Sequence, residues 1–244
     1  MNMTKNYPAS SDMCDVTCVN CPKRRHSLLS ELNPAELAVL EKNRYVVEYK
    51  AGEVIYKEGG KSQGLLCLNK GKVKIIRMGT SGNEQIVALK KPVDFIGFQA
   101  LMGEYNYMTS AIALEDVSIC INDKKDFFKV ISNNSHLAFK IIRLLAHDLN
   151  EADLRIINLT QKHVRARLAD ALVMIHDIYG TYPEDGNLNV SLKRADLAAL
   201  SNMTTANAIR VLSAFAKENL VEINRRSIKI NNLKLLKEIS AFGG

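Results

Sequence analysis

A change in hydrophobic period near residue 125 constrains the fold more than any other feature of this sequence. Through residues 45–122, short apolar segments recur at close spacing, with glycine and other turn-forming residues between them. This pattern is typical of the short strands of an antiparallel barrel or roll. From Lys125 to about Ile157, apolar residues instead recur every three or four positions, which predicts helix. We therefore expect an α+β fold, with a β-roll over residues 27–124 and a long helix over residues 125–160.

The predicted long helix carries two apolar stripes. One follows the alternating three- and four-residue spacing of a coiled-coil seam, and consists of Ile142, Leu145, Leu149, Ala152, Ile156 and Leu159. The other consists of Phe128, Ile131, Leu137, Ile141 and Leu144. A helix with two stripes can pack on its own domain with one and on a partner helix with the other. We therefore predict a dimerisation helix, with a wide-faced core helix of a single chain as the alternative.

Residues 161–244 are predicted to form a second, smaller domain. Within it, two short helices flank the turn Ser201-Asn202-Met203. Asparagine tolerates the left-handed conformation that a sharp turn often needs, and Thr204 is a natural N-cap for the second helix. The segment EINRRSIKINN then has the pattern of a two-stranded hairpin with its tip at residues 224–227.

The second of these helices carries side chains suited to reading DNA. Thr205, Asn207 and Arg210 lie outside its apolar face, and arginine and asparagine can make bidentate contacts with guanine and adenine. We predict that these three contact bases. The residues predicted to hold or position phosphates are Lys193, Arg194, Thr204, Lys217, Arg225 and Arg226. The net charge of +7 suits a polyanionic partner, whereas a helical hairpin with a solvated polar face is the alternative.

Residues 1–26 are predicted to be an irregular arm, and its stretch CDVTCVNC holds three of the five cysteines. No apolar run approaches the ~18 residues that span a membrane. The arm also lacks the apolar region of a secretory signal. We therefore expect a cytoplasmic protein with no membrane partner, whose thiols stay reduced. Clustered cysteines in such a protein favour metal binding or redox chemistry over disulfides.

The other two cysteines fall in predicted strands. In LEDVSICIN, Val117, Ile119 and Ile121 share one face, so Cys120 lies on the opposite face, where core packing does not account for it. Cys67, inside LLCL, is expected to be a buried strand residue, because free cysteine packs as a small hydrophobe.

Several segments carry a family resemblance in a fixed order along the chain. They are AGEVIYKEGG, LNKGKVKII, GNEQIVAL, DFIG, the long helix, SLKRADLAALSNMTTANAIRVLSAFAKENLV and EINRRSIKI. The arrangement resembles the CRP/FNR family of bacterial transcription regulators over nearly the whole chain. The resemblance implies a cyclic-nucleotide-binding-type roll that senses an effector, a dimerisation helix and a C-terminal winged helix-turn-helix. It further implies a homodimer on a two-fold symmetric site in double-stranded DNA, with RNA polymerase as a further partner.

The predicted recognition helix departs from the family pattern at one position. Better-known members commonly carry a glutamate where this chain has Ala206, whereas the arginine one turn later is kept as Arg210. A glutamate there can accept a hydrogen bond from cytosine. Its loss predicts a different operator preference.

The resemblance also bears on the effector. Cyclic-AMP-binding members carry a glutamate and an Arg-Ser pair that hold the ribose and the cyclic phosphate. The corresponding positions here are Phe98, Met108 and Thr109. Neither Phe98 nor Met108 can neutralise a buried phosphate, and stranding that charge would cost on the order of several kcal/mol. We predict a degenerate pocket that binds cyclic AMP weakly or not at all.

The FNR-like branch implies a [4Fe-4S] cluster held by three arm cysteines and one strand cysteine. Cys18, Cys21 and Cys120 match three of these, and Ser27 stands at the position of the remaining family cysteine. Cys14 could supply the missing thiolate, which gives four ligands. The same four cysteines could hold zinc, or the arm could bind no metal.

Two alternatives remain open, and a third class is not expected. A haem- or small-ligand-responsive regulator of the same family needs no cluster, although the five histidines fall in the arm or in predicted helices rather than in the strands. A regulatory module that acts on proteins would have no use for the DNA-reading residues. An enzyme is not expected, because the sequence has no glycine-rich phosphate loop, no nucleophile with a nearby base and no recognisable carboxylate pair.

Overall fold

A computed structural model describes residues 17–80 and 82–242. Its β-strands are β1 Tyr45–Tyr49, β2 Val54–Tyr56, β3 Gly64–Lys70, β4 Val73–Met78, β5 Glu84–Lys90, β6 Phe95–Ile96, β7 Ser110–Ala113, β8 Val117–Asp123, β9 Val221–Asn224 and β10 Ser227–Ile230. Its α-helices are α1 Pro34–Glu41, α2 Phe98–Met102, α3 Lys124–Asn133, α4 Ser135–Gln161, α5 Val164–Tyr179, α6 Arg194–Leu200, α7 Thr205–Lys217 and α8 Leu233–Phe242. No helix in this part of the chain is both long and apolar enough to cross a membrane.

The first eight strands form the expected antiparallel roll. One sheet has the order β1-β8-β3-β6 and the other the order β2-β7-β4-β5. Side chains alternate between the two faces of each strand, so every second residue enters the space between the sheets. Leu66, Leu68, Ile119 and Ile121 are among the residues of this interior core. The predicted roll is therefore confirmed.

A second apolar core covers the outer face of the sheet that contains β3 and β8. Leu65 of β3 packs there with Leu29 and Leu40 of the N-terminal segment and with Leu137 and Ile141 of α4. The N-terminal segment contributes two short 3-10 helices, Pro22–His26 within the arm and Leu28–Glu31 after it, where an irregular segment was expected up to residue 26. Both faces of this sheet are thus buried.

The predicted continuous helix from Lys125 is interrupted at Asn134. This residue adopts φ −130° and ψ 89°, and its side chain accepts a hydrogen bond from Leu137 N at 2.8 Å. Asparagine favours such capping over helix interiors, because its side chain competes for backbone donors. The helical region therefore consists of α3 and α4, and the seam residues predicted for dimerisation all lie on α4.

The C-terminal domain packs around α5. Its core continues into the roll, where Ile76, Ile86 and Leu89 join it. Arg155 of α4 links the same parts, because its guanidinium donates to the carbonyls of Ile86 at 2.6 Å and Leu200 at 3.3 Å. The final helix α8, which the sequence analysis did not predict, packs mainly on α5.

Candidate DNA-binding interface and cysteine cavity

The helix-turn-helix has the local geometry that its sequence predicts. Asn202 has φ 49°, the left-handed conformation expected for the turn between α6 and α7. Thr204 caps α7, since its hydroxyl accepts from Asn207 N at 3.2 Å. Ser201 is fully buried and donates to Leu197 O at 2.8 Å, which ties the turn to the preceding helix. The predicted N-cap and left-handed turn are therefore confirmed.

The first turns of α7 present the three predicted base-contacting residues. Thr205 and Arg210 are exposed and Asn207 is half-buried, while Ala208 on the other side enters the core. Arg210 Nη2 donates to Asn207 Oδ1 at 2.9 Å. An asparagine that accepts from arginine in this way cannot also accept from adenine with the same oxygen lone pair. The geometry therefore favours a pair in which Asn207 orients the Arg210 guanidinium.

Five of the six predicted phosphate-contacting residues lie at the start of α6, at the start of α7 or on the β9–β10 hairpin, and the sixth is Lys217 at the other end of α7. Arg194 Nη2 donates to Arg225 O at 2.6 Å, which joins α6 to the β9–β10 hairpin. Arg225 and Arg226 are exposed in the two-residue turn of this hairpin, closed by the Asn224–Ser227 pair, so the predicted tip is confirmed. Lys193 is exposed at the start of α6, and Thr204 is exposed at the α7 N-cap.

Lys217 stands apart from these residues. It is exposed in the last turn of α7, twelve residues beyond Thr205 and therefore about 18 Å away along the helix axis. A helix that enters the major groove with its N-terminal residues carries its other end away from the base edges.

The predicted dimerisation seam is a largely exposed apolar stripe on α4. The exposed fractions of Ile142, Leu149 and Ile156 are 59%, 64% and 60%. Ala152 is exposed, and Leu145 and Leu159 are half-buried. By contrast, Leu137 and Ile141 of the second stripe are buried against the chain's own outer core, with Phe128, Ile131 and Leu144 packed beside them. Within one chain the second stripe is thus packed against the core, whereas the predicted dimerisation seam stays largely exposed to solvent.

The residues at the degenerate cyclic-nucleotide positions do not converge on a charged pocket. Phe98 is buried in the outer core beside Phe95 and Phe127. Met108 is 50% exposed. Burial raises the pKa of Tyr56 to about 12, although a side-chain hydrogen bond with Thr109 opposes this rise. None of Phe98, Met108 and Thr109 offers a cation to a cyclic phosphate.

Three of the four predicted metal ligands lie around one cavity. Cys18, Cys21 and Cys120 line a space of about 50 Å³, between the arm and the outer face of the first sheet. A single water needs only ~15 Å³, so the cavity has room for a larger group. The fourth predicted ligand, Cys14, lies outside the described residues.

The sequence analysis missed one cysteine of this cavity. Cys67 lines the same space, and it pairs directly with Cys120 across β3 and β8. It was expected to be an ordinary core residue because LLCL is apolar throughout. The one available signal was the alternation itself, since Leu66 and Leu68 enter the roll interior and leave Cys67 on the outer face with Leu65.

The surroundings of the cavity act on its thiols in two opposite ways: burial favours the neutral thiol, and a neighbouring arginine favours the thiolate. Burial raises the pKa of Cys67 to about 12, and neighbouring thiols including Cys120 add to this effect. Burial also raises the pKa of Cys18 to about 12, followed by a hydrogen bond with Glu41. On the opposing side, Arg44 Nη1 lies 3.7 Å from Cys120 Sγ. Arginine next to sulfur stabilises negative charge there, which a metal-bound thiolate requires.

Ser27 also lines the cavity, but its hydroxyl is hydrogen-bonded to the backbone of neighbouring residues. Its hydroxyl donates to Arg24 O at 2.8 Å and accepts from Leu29 N at 3.1 Å, which caps the second 3-10 helix. Arg24 Nε is buried and has no hydrogen-bond partner among the described residues. A buried donor without a partner is costly, so an anionic group in the cavity would satisfy it.

Among the described residues, the thiols are not arranged as a site for a single metal ion. Within residues 17–80 and 82–242, no three His, Cys, Asp or Glu side chains are arranged to hold one metal ion. Tetrahedral zinc needs sulfurs about 3.8 Å apart, given Zn–S bonds of about 2.3 Å. A [4Fe-4S] cluster instead takes one thiolate on each iron, so its cysteines stand farther apart around a larger group. Four thiols, Arg24 and Arg44 all line the cavity.

Comparison with known proteins gives consistent matches for both domains. Residues 46–134 match the family model of the cyclic nucleotide-binding domain, and residues 166–239 match that of the Crp-like helix-turn-helix domain. The chain is 31% identical to the "Cyclic AMP receptor protein" of Thermus thermophilus, over 80% of this chain and 87% of that protein. It is 25% identical to the "Anaerobic regulatory protein" of Aggregatibacter actinomycetemcomitans, over 93% of this chain and 89% of that protein.

Solved structures share the fold at lower identity. FixK2 from Bradyrhizobium japonicum superposes with a TM-score of 0.71 at 20% identity, covering 80% of this chain and 96% of that chain. A transcriptional regulator of the CRP/FNR family from Thermus thermophilus gives 0.65 at 24% identity, covering 82% and 100%. The two family-model matches and the relative at 31% identity agree with the observed roll and helix-turn-helix. The chain therefore belongs to the CRP/FNR family of DNA-binding transcription regulators.

Proposed function

We propose that this regulator acts as a homodimer on a two-fold symmetric DNA site, and that an iron–sulfur cluster beneath the N-terminal arm controls its affinity. The observation that carries the DNA-binding mode is the first part of α7, where Thr205 and Arg210 are exposed and Arg210 is hydrogen-bonded to Asn207. Each α7 would enter the major groove of one half-site, with half-sites about 34 Å apart. By family resemblance, RNA polymerase would be the further partner at promoters.

The exposed stripe of α4 supports the dimer. Leu149 and Ile156 leave more than half of their surfaces in solvent in one chain, at the spacing of a coiled-coil seam. Large exposed apolar stripes of this kind mark protein interfaces. A second copy of α4 offers the same stripe, which meets the self-complementarity that a two-fold interface needs.

Two lines of support bear on the effector, and they disagree. The relative at 31% identity is named a cyclic AMP receptor protein, which favours cyclic AMP. Three relatives at 24–25% identity are instead named for anaerobic or fumarate and nitrate regulation. The residues of this chain favour the second group, because Phe98 and Met108 offer no charge to a cyclic phosphate. Cys18, Cys21 and Cys120 moreover line one cavity.

The cluster would be held by thiolates of Cys18, Cys21 and Cys120 together with a fourth ligand. When bound, such a group supplies sensitivity to oxygen and nitric oxide. The chain's own part is to fix the arm onto β8 through these cysteines. Lys23 supports the same docking by donating to Asn69 O of β3.

The segment that continues the arm, the 3-10 helix Leu28–Glu31, contacts the dimerisation helix directly. Cys120 on β8 is separated along the chain from α4 by the whole of α3. Instead, Lys140 of α4 donates to Ser30 Oγ at 2.8 Å and to Glu31 Oε1 at 3.1 Å. A docked arm would therefore bias the position of α4, which is a population shift through the dimer interface.

Selection from a random duplex pool, followed by anisotropy titrations at several salt concentrations, tests the DNA-binding part. We expect salt-dependent binding of a two-fold symmetric site, because phosphate contacts release counterions. Arg210→Ala should weaken binding to the selected site by roughly 5- to 150-fold, which corresponds to about 1–3 kcal/mol. Lys234→Ala, an exposed cation on α8, is the matched control. Binding that ignores salt, or equal effects of both variants, contradicts this mode.

Two further measurements test the effector. Anaerobic purification with iron and sulfide analysis should find a cluster, and Cys120→Ser should lose both the iron and the difference between anaerobic and air-exposed DNA affinity. Isothermal titration with cyclic AMP should show no binding at micromolar concentrations. A metal-free protein whose DNA affinity responds to cyclic AMP would reverse the choice of effector.

A further inference from the structure

The opposed pair Cys67 and Cys120 forms the floor of the cysteine cavity. The two residues face each other in the antiparallel ladder of β3 and β8. Directly opposed residues have Cβ atoms about 4.5–5.5 Å apart and point to the same side of the sheet. That side is the outer one, since Leu66 and Leu68 next to Cys67 enter the roll interior. Both sulfurs therefore reach the same space.

The arm brings two more thiols over this floor. Cys18 is fixed there twice: its backbone N–H donates to Glu41 Oε2 at 2.7 Å, and Asn122 Nδ2 lies 3.9 Å from its sulfur. Cys21 follows three residues later and lines the same cavity. Two strand thiols and two arm thiols thus surround a space of about 50 Å³.

We propose that Cys67 is the fourth cluster ligand, so that the set is Cys18, Cys21, Cys67 and Cys120, and Cys14 is dispensable. This inference rests on the cluster of the proposed function and changes its ligand set. The opposed floor pair would bind two irons and the Cys-x2-Cys pair of the arm the other two, which gives the four thiolates that such a cluster requires. Each Fe–S bond replaces an S–H bond, so four protons leave to solvent on assembly.

The surroundings fit the negative charge of four thiolates. Arg44 already contacts Cys120, and the buried Arg24 Nε has no partner among the described residues. Ser27 stands at the position of the missing family cysteine, and its hydroxyl caps a 3-10 helix. The chain would thus replace a ligand lost from the arm by one from the adjoining strand rather than by one farther out in the arm.

The decisive variant is Cys14→Ala, because Cys14 lies outside the described residues and the four proposed ligands all lie within them. The chain has five cysteines, so a four-thiolate cluster in this variant must use Cys67. The full-length protein is reconstituted anaerobically with equal amounts of ferrous and ferric iron and with sulfide, and metal, acid-labile sulfide and the absorption spectrum are measured. We expect about four irons and four sulfides per chain in the wild type and in Cys14→Ala. Cys67→Ser should fall below one, while urea unfolding of the metal-free protein checks that this variant folds.

The outcomes separate the inference from the proposed function. Loss of iron in Cys14→Ala, or full iron in a folded Cys67→Ser, overturns the role of Cys67 while the cluster itself stands. If Cys67→Ser does not fold, Cys14→Ala decides alone, with Cys14→Ala/Cys120→Ser as its iron-free control. Absence of iron from the wild type, or zinc in its place, instead contradicts the cluster and with it the effector of the proposed function.

Discussion

Lys74 Nζ lies 2.6 Å from Asp196 Oδ1, and this ion pair joins β4 of the roll to α6 of the DNA-binding domain. Only 12% and 9% of the two side chains are exposed. Asp196 also accepts from Lys193 N at 2.9 Å, so the same carboxylate caps α6 and anchors it to the roll. Removing one partner of a buried pair leaves the other charge uncompensated.

Lys74→Met should therefore destabilise the protein by about 3 kcal/mol. The measurement is the midpoint of urea unfolding, with circular dichroism as the signal. Lys50→Met is the matched control, because Lys50 pairs with Asp116 at 2.8 Å in a pair that is 78% and 60% exposed. Exposed pairs contribute little, so the control should keep its midpoint. Equal shifts in the two variants would mean that the contact between the domains is solvated.

The stripe on α4 predicts the effect of Leu149→Ala on self-association. Leu149 is 64% exposed in one chain and becomes buried twice in a two-fold dimer. Losing about 1.4 kcal/mol from each copy should raise the dimer dissociation constant on the order of 100-fold. Sedimentation equilibrium measures this constant. Glu151→Ala, which lies about 200° farther round the helix, should leave it unchanged. A monomeric wild type would contradict the interface.

The bond between Arg210 and Asn207 predicts a non-additive effect on DNA binding. If Asn207 acts by orienting the guanidinium, Asn207→Ala should weaken binding to the selected site only while Arg210 is present. The double variant should then bind about as well as Arg210→Ala alone, as expected for residues that act as a unit. Anisotropy titrations of the four proteins give the coupling energy. Additive losses would instead mean that Asn207 makes its own contact with the DNA.

The two groups of basic residues predict different salt dependences. Arg226 lies at the tip of the β9–β10 hairpin, whereas Lys217 lies at the far end of α7. Arg226→Ala should reduce the slope of log K against log salt by about two, one phosphate contact per subunit. Lys217→Ala should leave the slope unchanged, although the sequence alone predicted a phosphate contact there. A reduced slope for Lys217→Ala would instead indicate that the C-terminal end of α7 contacts a phosphate.

Periodicity predicted the roll and the helix-turn-helix because each depends on local patterns. Alternation placed Ile119 and Ile121 together, and Asn202 and Thr204 carry the turn chemistry that separates α6 from α7. The break at Asn134 was missed although the polar residues 132–136 interrupt the apolar spacing between Ile131 and Leu137. Cys67 was missed for a different reason. Where both faces of a strand are buried, hydrophobicity no longer distinguishes them, so an apolar run hides which residues face a site.

The pairing of Cys67 with Cys120 limits how this segment can diverge in evolution. Because side chains alternate along a strand, inserting or deleting one residue within β3 would carry Cys67 into the roll interior and bring a leucine to the cavity. Substitutions at Leu65 or Leu66 change only packing, whereas changes of length remove a thiol from the site. The irregular pairing between Leu68 and Lys70 marks where β3 already accommodates an additional residue. Natural length variation in this strand should therefore be confined to its end beyond Leu68.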